Sequence, residues 1–393
     1  MNLLTDSKYL SAALGHLTID FISGQRYVLL TYMVGLMGLS NVSLGFISMM
    51  FVLVGSLSQP LFGLVTDRVG PRWVIFGGLV WLGCFYSLGL LILGILGLSL
   101  FVLSSIGSGA FHPAGTMVAT ERGGIVTTGK ETTSTAVFFL FGQSGLFIGP
   151  FIAGLVLNTG NLYLLALMAS VALPVGFNAL LQLKNFQPES KNSKPEKTRG
   201  SKISYSIFFL IVFAVVAALP SWCQQNMVTF IPKYLSDLGK TPGTYGLFSA
   251  LYMAGFASGN LAGGFLADKF GKKRVAMWMF VIASIPILLI PILGWTLWLY
   301  ILIPLSGFFT GATFSIIVVL AQNILPGGRG FTSGLILGFV FSSGAIGTML
   351  SGYLADLKGI GTVFTASAGL MLLAAVLTYG LRRMESQPSQ IRT

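Results

Sequence analysis

The sequence predicts an all-α membrane protein: twelve transmembrane helices in two pseudo-symmetric six-helix halves. Three observations predict it. Charged residues make up 9% of the 393 residues and hydrophobic ones 54%, whereas soluble domains carry roughly 25% charge. Apolar stretches of about twenty residues, enough to cross a ~30 Å hydrocarbon core, recur along the chain. A pattern of glycines and acids also repeats at an offset of 201 residues.

Spans are expected at 9–36, 44–66, 73–95, 97–119, 131–158 and 162–183 in the first half. The second half should span at 205–235, 243–267, 274–294, 297–323, 330–356 and 360–382. The halves are then 1–183 and 205–393, joined by a polar linker over 184–204 that contains Lys191, Lys194, Lys197 and Arg199. With the N-terminus inside, inner loops and tails hold 19 of the 23 basic residues and outer loops hold three, Lys233, Lys240 and Lys358. That asymmetry places both termini and the linker on the cytoplasmic side, and the expected location is the cell's inner or plasma membrane. Asp6 and Lys8 precede a long apolar run with no small-residue cleavage site, so no cleaved signal is expected.

The net charge of +12 is not a nucleic-acid footprint, because the basic residues lie in short gaps between spans rather than on one soluble face. Cys84 and Cys223 fall inside apolar stretches and read as packing residues. No phosphate-cradling loop and no catalytic set is present. The expectation is a non-enzyme without cofactor or metal, a monomer in the lipid bilayer whose partners are a small-molecule substrate and protons.

The loop after the second span reads Gly63-Leu-Val-Thr-Asp67-Arg68-Val-Gly70-Pro-Arg72. It recurs as Gly264-Phe-Leu-Ala-Asp268-Lys269-Phe-Gly271-Lys-Lys273. Glycines permit a tight turn and close helix contact. The carboxylates can accept from a neighbouring helix N-terminus and pair with the basic residues, closing and releasing one side of the protein. Span five carries Gly145-x-x-x-Gly149-Pro150-x-x-Ala153-Gly154, small residues that let helices approach and a proline that bends the span.

Span one reads Gly15-His16-x-x-x-Asp20-x-x-Ser23-Gly24-Gln25-Arg26. A charge at mid-bilayer costs ~2.5–3.5 kcal/mol on insertion scales, so it marks function. Asp20 is the candidate proton-coupling carboxylate, with His16 one turn below on the same face. Span four brings His112, in Ser108-Gly-Ala-Phe-His112-Pro113, to a similar depth. Both histidines are candidate relays; a buried His satisfied by a backbone carbonyl is the plainer reading. Arg26 and Gln25, Gln143 of span five, and Trp222, Gln224, Gln225 and Asn226 of span seven are candidate cavity residues, with interhelical bonding as the alternative.

The doubled loop resembles the signature of the major facilitator superfamily, and the span-five pattern resembles its antiporter motif. Gly15-His16-x-x-x-Asp20, Ser108-to-Gly115, Ser58-to-Gly63 and Leu325-to-Phe339 together resemble its fosmidomycin-resistance branch. The resemblance implies the major facilitator fold, spans one and four lining a central cavity, and proton-driven export of small organic molecules by alternating access. Proton-coupled uptake or uniport of a small organic anion stays open, and a non-transport receptor is a distant alternative.

Overall fold

The computed structural model describes residues 3–92, 94–127, 131–186, 206–324 and 329–385. Most of the linker, with Lys191, Lys194, Lys197 and Arg199, lies outside the described residues, as does Lys130.

After one 3-10 turn at Leu3–Thr5, the first half runs α1 (Ser7–Leu36), α2 (Asn41–Val69), α3 (Pro71–Leu91), α4 (Ile95–Val126), α5 (Glu131–Leu157), α6 (Leu162–Ala169) and α7 (Ala172–Gln182). The second runs α8 (Ile207–Asp237), α9 (Pro242–Phe270), α10 (Lys272–Leu293), α11 (Leu299–Ile324), α12 (Arg329–Lys358) and α13 (Gly361–Glu385). Nine stretches among the described residues are long and apolar enough to cross a membrane, and Leu162–Gln182 counts as one of them although Ser170 and Val171 break it into α6 and α7. α1, α9 and α12 are 30, 29 and 30 residues long, more than the ~20 a crossing needs, and each dilutes its apolar run with polar or small residues.

Two compact units emerge. The first holds Met1–Leu39, Ile47–Asn192 and Gly239–Ala250, and the second Ser40–Phe46, Ser193–Leu238 and Leu251–Thr393. The opening turns of α2 therefore belong to the second unit and those of α9 to the first.

In the first unit the most extensive helix pair is α1 on α5. Its cause is a stripe of glycines at i, i+3 and i+7 on α5. A Cβ on Gly145 would lie 2.5 Å from the Leu17 carbonyl oxygen, and one on Gly149 2.4 Å from that of Phe21. The residues resembling an antiporter motif are thus the surface on which α1 lies. In the second unit Gly255, Gly259 and Gly263 do the same for α9 against α11, where a Cβ would fall 2.1, 1.9 and 2.0 Å from backbone oxygens of Pro304, Phe308 and Ala312. Close contact was expected at the motif glycines Gly63 and Gly264. The nearest atoms to a Cβ there are 3.9 Å away, and the tight position in the second repeat is the neighbouring Gly263. The motif's turn glycines are required, however. Gly70 and Gly271 have φ of 84° and 90°, and each alone separates two helices. Beyond the turn, Arg72 Nε donates to the Leu180 carbonyl at 2.7 Å, and Lys272 approaches Asp268 at 3.7 Å.

The base of α1 is fastened to α4. Asp6 caps α1 by accepting from the Tyr9 N–H at 2.9 Å, and its other oxygen accepts from Arg122 Nε at 2.8 Å and from a terminal nitrogen at 2.5 Å. Burial alone would push the Asp6 carboxyl up; the Arg122 hydrogen bond, the Tyr9 N–H and the guanidinium charge outweigh it and hold the group below the usual carboxylate range. A carboxylate depressed in the folded state stabilises it fully above its unfolded value of about 3.9, and that contribution is lost as pH falls through the folded value. Asp6→Ala is expected to cost about 1–2 kcal/mol, read as a lower unfolding temperature in detergent at pH 7. The gap to wild type should narrow as the solution is acidified; a constant gap would mean the carboxylate charge contributes nothing.

Candidate functional site

The first unit gathers the two histidines of the chain and one carboxylate. His16 Nε2 lies 3.2 Å from one oxygen of Asp20, and His112 Nε2 lies 3.5 Å from the other. His16 and Asp20 are one α1 turn apart, and His112 comes from α4. Asp20 is buried at 8% exposure, His16 at 2%. His112 is the open member, its side chain 25% exposed.

Both rings are oriented from behind. His16 Nδ1 meets the Phe138 carbonyl of α5 at 2.9 Å, and His112 Nδ1 meets the Ser108 carbonyl one turn back at 2.7 Å. A carbonyl only accepts, so both Nδ1 atoms carry hydrogen and donate. In a neutral ring the Nε2 then bears a lone pair, and both such lone pairs are aimed at the Asp20 carboxylate. Phe138 stacks on His16 at 4.2 Å between centroids, and Phe139, Phe111 and the His112 ring stand at 5.6, 6.0 and 5.2 Å. This wall keeps the local dielectric low, and an unshared lone pair is costly there. The sequence did not single out Gly142. A Cβ there would fall 2.4 Å from His16 Nε2 and 2.6 Å from Asp20 Oδ2, so the glycine leaves the space the cluster occupies. Its only sequence signal is its place three residues before Gly145 on the α1-facing stripe.

The donor atoms of His16, Asp20 and His112 lie within 4.8 Å of one another, a set that a divalent ion could also bridge. No metal was expected at these residues.

The remaining candidates divide. Arg26 does not pair with Asp20. Its guanidinium lies 4.6 Å from the Tyr27 ring centroid and 4.8 Å from that of Phe51, and donates to the Tyr27 hydroxyl at 3.2 Å. Among the described residues it has no acidic partner within 4.0 Å. Gln25 is wholly buried and accepts from the Tyr86 hydroxyl of α3 at 2.8 Å, a helix-to-helix bond instead of the expected cavity contact. Asn226 likewise donates to Ser367 of α13 at 2.9 Å and is 1% exposed. Trp222 donates to Ser351 of α12 at 2.8 Å, with its ring against Gly347. Gln225 is buried near Gly344. Gln224 lines a cavity of about 20 Å³ in the second unit, with Ser221, Thr310, Thr313, Phe256 and Phe314 around it. Gln143 keeps a buried side-chain oxygen without a hydrogen-bond partner. Cys223 is buried as expected, while Cys84 is exposed on α3.

The chain matches the sequence pattern of the Major Facilitator Superfamily over residues 13–241 and again over 213–392. It is 27% identical over 381 residues to the fosmidomycin resistance protein of Escherichia coli K12, covering 93% of this chain and 91% of that one. It is 30% identical over 159 residues to a multi-drug resistance efflux pump PmrA homolog of Lactococcus lactis, 39% of this chain and 38% of that one. Among solved structures, a bacterial homolog of the human lysosomal transporter Spinster superposes with a TM-score of 0.77 at 15% identity, over 99% of this chain and all of that one.

Proposed function

The chain belongs to the major facilitator superfamily of membrane transporters, and from that premise we propose that it exports a small organic anion in exchange for protons. Both termini and the linker are assigned to the cytoplasmic side of the inner or plasma membrane, on the charge asymmetry of the loops. The two related halves, 1–183 and 205–393, would work by alternating access.

One observation carries the proton reading: two imidazole lone pairs converge on one buried carboxylate. With no shared proton, three acceptors face each other in an apolar wall. One proton relieves one contact and leaves the cluster neutral; a second relieves both and leaves it singly positive. The α5 face against it is formed by Phe138, Phe139 and Gly142, none of them ionisable. The cluster is therefore built to take up and give back a proton, and His112 is the member through which water reaches it.

Arg26 supports the substrate class. A cation with aromatic faces and no acidic partner among the described residues is a ready site for an anionic group. Export is favoured by the fosmidomycin resistance protein and the efflux pumps among the relatives. The test is flux in proteoliposomes under an imposed pH gradient. Protons and solute moving in opposite directions support antiport; movement together would replace it by symport. Arg26→Gln should weaken binding of anionic solutes about tenfold and leave neutral analogues unchanged. Equal losses for both would remove Arg26 from charge recognition.

A further inference from the structure

Asp356 lies at the end of α12, within the second unit, yet its carboxylate serves the start of α2. One oxygen accepts from the Asn41 backbone N–H at 2.9 Å and its side-chain amide at 2.8 Å, and the other accepts from the Val42 N–H at 2.9 Å. α2 already has a local cap, since the Ser43 N–H bonds the Ser40 hydroxyl at 3.2 Å. Ser40 satisfies one N–H of the first turn, and Asp356 satisfies two more from another helix, so its bonds also hold α2 to α12.

The first unit contains the counterpart. Asn158, at the end of α5, accepts from the Gly243 N–H of α9 at 2.8 Å, while the Thr244 N–H meets the Thr241 hydroxyl at 3.4 Å. Positions 40–43 correspond to 241–244 by the 201-residue offset, and 356 to 158 by the offset of 198 that aligns Gly352 with Gly154. At the second site Pro242 stands where Asn41 stands and offers no N–H. The acceptor there is neutral and takes one bond, whereas Asp356 is charged and takes three. Both joints close on glycine. A Cβ on Gly352 would lie 2.4 Å from the Asn41 oxygen and one on Gly154 2.5 Å from that of Pro242.

The chain pattern is also shared. Gly352-x-x-x-Asp356-x-x-Gly359 repeats the spacing of Gly63-x-x-x-Asp67-x-x-Gly70 and Gly264-x-x-x-Asp268-x-x-Gly271. Gly359 has φ 85°, as Gly70 and Gly271 have 84° and 90°. One helix-ending unit, a glycine, an acid a turn later and a left-handed glycine, occurs on both faces of the membrane.

We propose that Asp356 and Asn158 form an unequal pair of outer latches, Asp356 the strong one, that hold the first turns of α2 and α9 and release them when the outer side opens. The latch extends the transport reading and does not depend on proton coupling. Charge-assisted bonds are about twice as strong as neutral ones, so Asp356 dominates.

The test uses the full chain with Cys84→Ser, Cys223→Ala and Val42→Cys, in vesicles, without solute or pH gradient. The labelling rate of position 42 by a membrane-impermeant maleimide from the outer side is measured. Asp356→Ala is expected to raise it roughly tenfold and the isosteric Asp356→Asn severalfold, while Asn158→Ala raises it little. Folding is checked by monodispersity, and Asp356→Asn decides should the alanine variant misfold. Wild-type labelling in a folded Asp356→Asn protein overturns the latch, whatever the coupling experiments return. Faster labelling in a protein that fails every pH-gradient test leaves the latch standing and removes the coupling reading.

Discussion

Asp20→Asn should lose proton-driven flux by about two orders of magnitude, the scale of a positioned proton-transfer group, and should keep its fold. The amide is isosteric with the carboxylate but cannot take a proton. Its oxygen still faces one Nε2 lone pair, and its NH₂ can donate to the other, so the pocket keeps its shape. Counterflow, in which labelled and unlabelled solute exchange with no gradient, is expected to survive, because it needs no net proton movement. The check compares pH-driven uptake with counterflow in the same proteoliposomes. Retained pH-driven flux would remove Asp20 from coupling. Loss of both would make it a substrate or packing residue.

The second large effect is expected at Gly142. Alanine there places a methyl group 2.4 Å from His16 Nε2 and 2.6 Å from Asp20, distances that real Cβ atoms do not tolerate. Either the imidazole leaves its bond to the Phe138 carbonyl or α5 moves off α1, along its most extensive contact. Overpacking of this kind costs about 1–3 kcal/mol. Gly142→Ala should therefore lower the unfolding temperature and also abolish pH-driven flux. Gly77→Ala, where a Cβ meets nothing within 4 Å, is the control and should do neither. Full pH-driven flux in Gly142→Ala would mean the cluster tolerates displacement and is not the coupling site.

Much of the fold was legible because hydrocarbon imposes length. The spans expected at 44–66 and 274–294 appear as Asn41–Val69 and Lys272–Leu293, whereas the one expected at 97–119 runs on to Val126 and the break at Ser170–Val171 carried no warning. The candidate site was legible where helical geometry alone decides: His16 and Asp20 are four residues apart and share a face. It failed at Gln25. Five residues at 100° each put it about 140° from Asp20, on the face that meets Tyr86. The same arithmetic separates Asn226 from Ser221 in the repeat. Arg26 could be located in depth but not in full company, since Tyr27 is its neighbour on α1 but Phe51 depends on how α2 packs. The carbonyls of Phe138 and Ser108, which fix the tautomers, belong to the backbone and leave no mark in residue identity.

The Asp6–Arg122 tie has a mechanical consequence. It splints the foot of α1 to the last turns of α4, the two helices that carry His16, Asp20 and His112. With their feet pinned, the pair swings as a single lever, and the spacings among the three side chains travel with it. Under the proposed proton coupling, the charge would be ferried in a rigid cup, and what would change through a cycle is which reservoir the mouth of the cup looks upon.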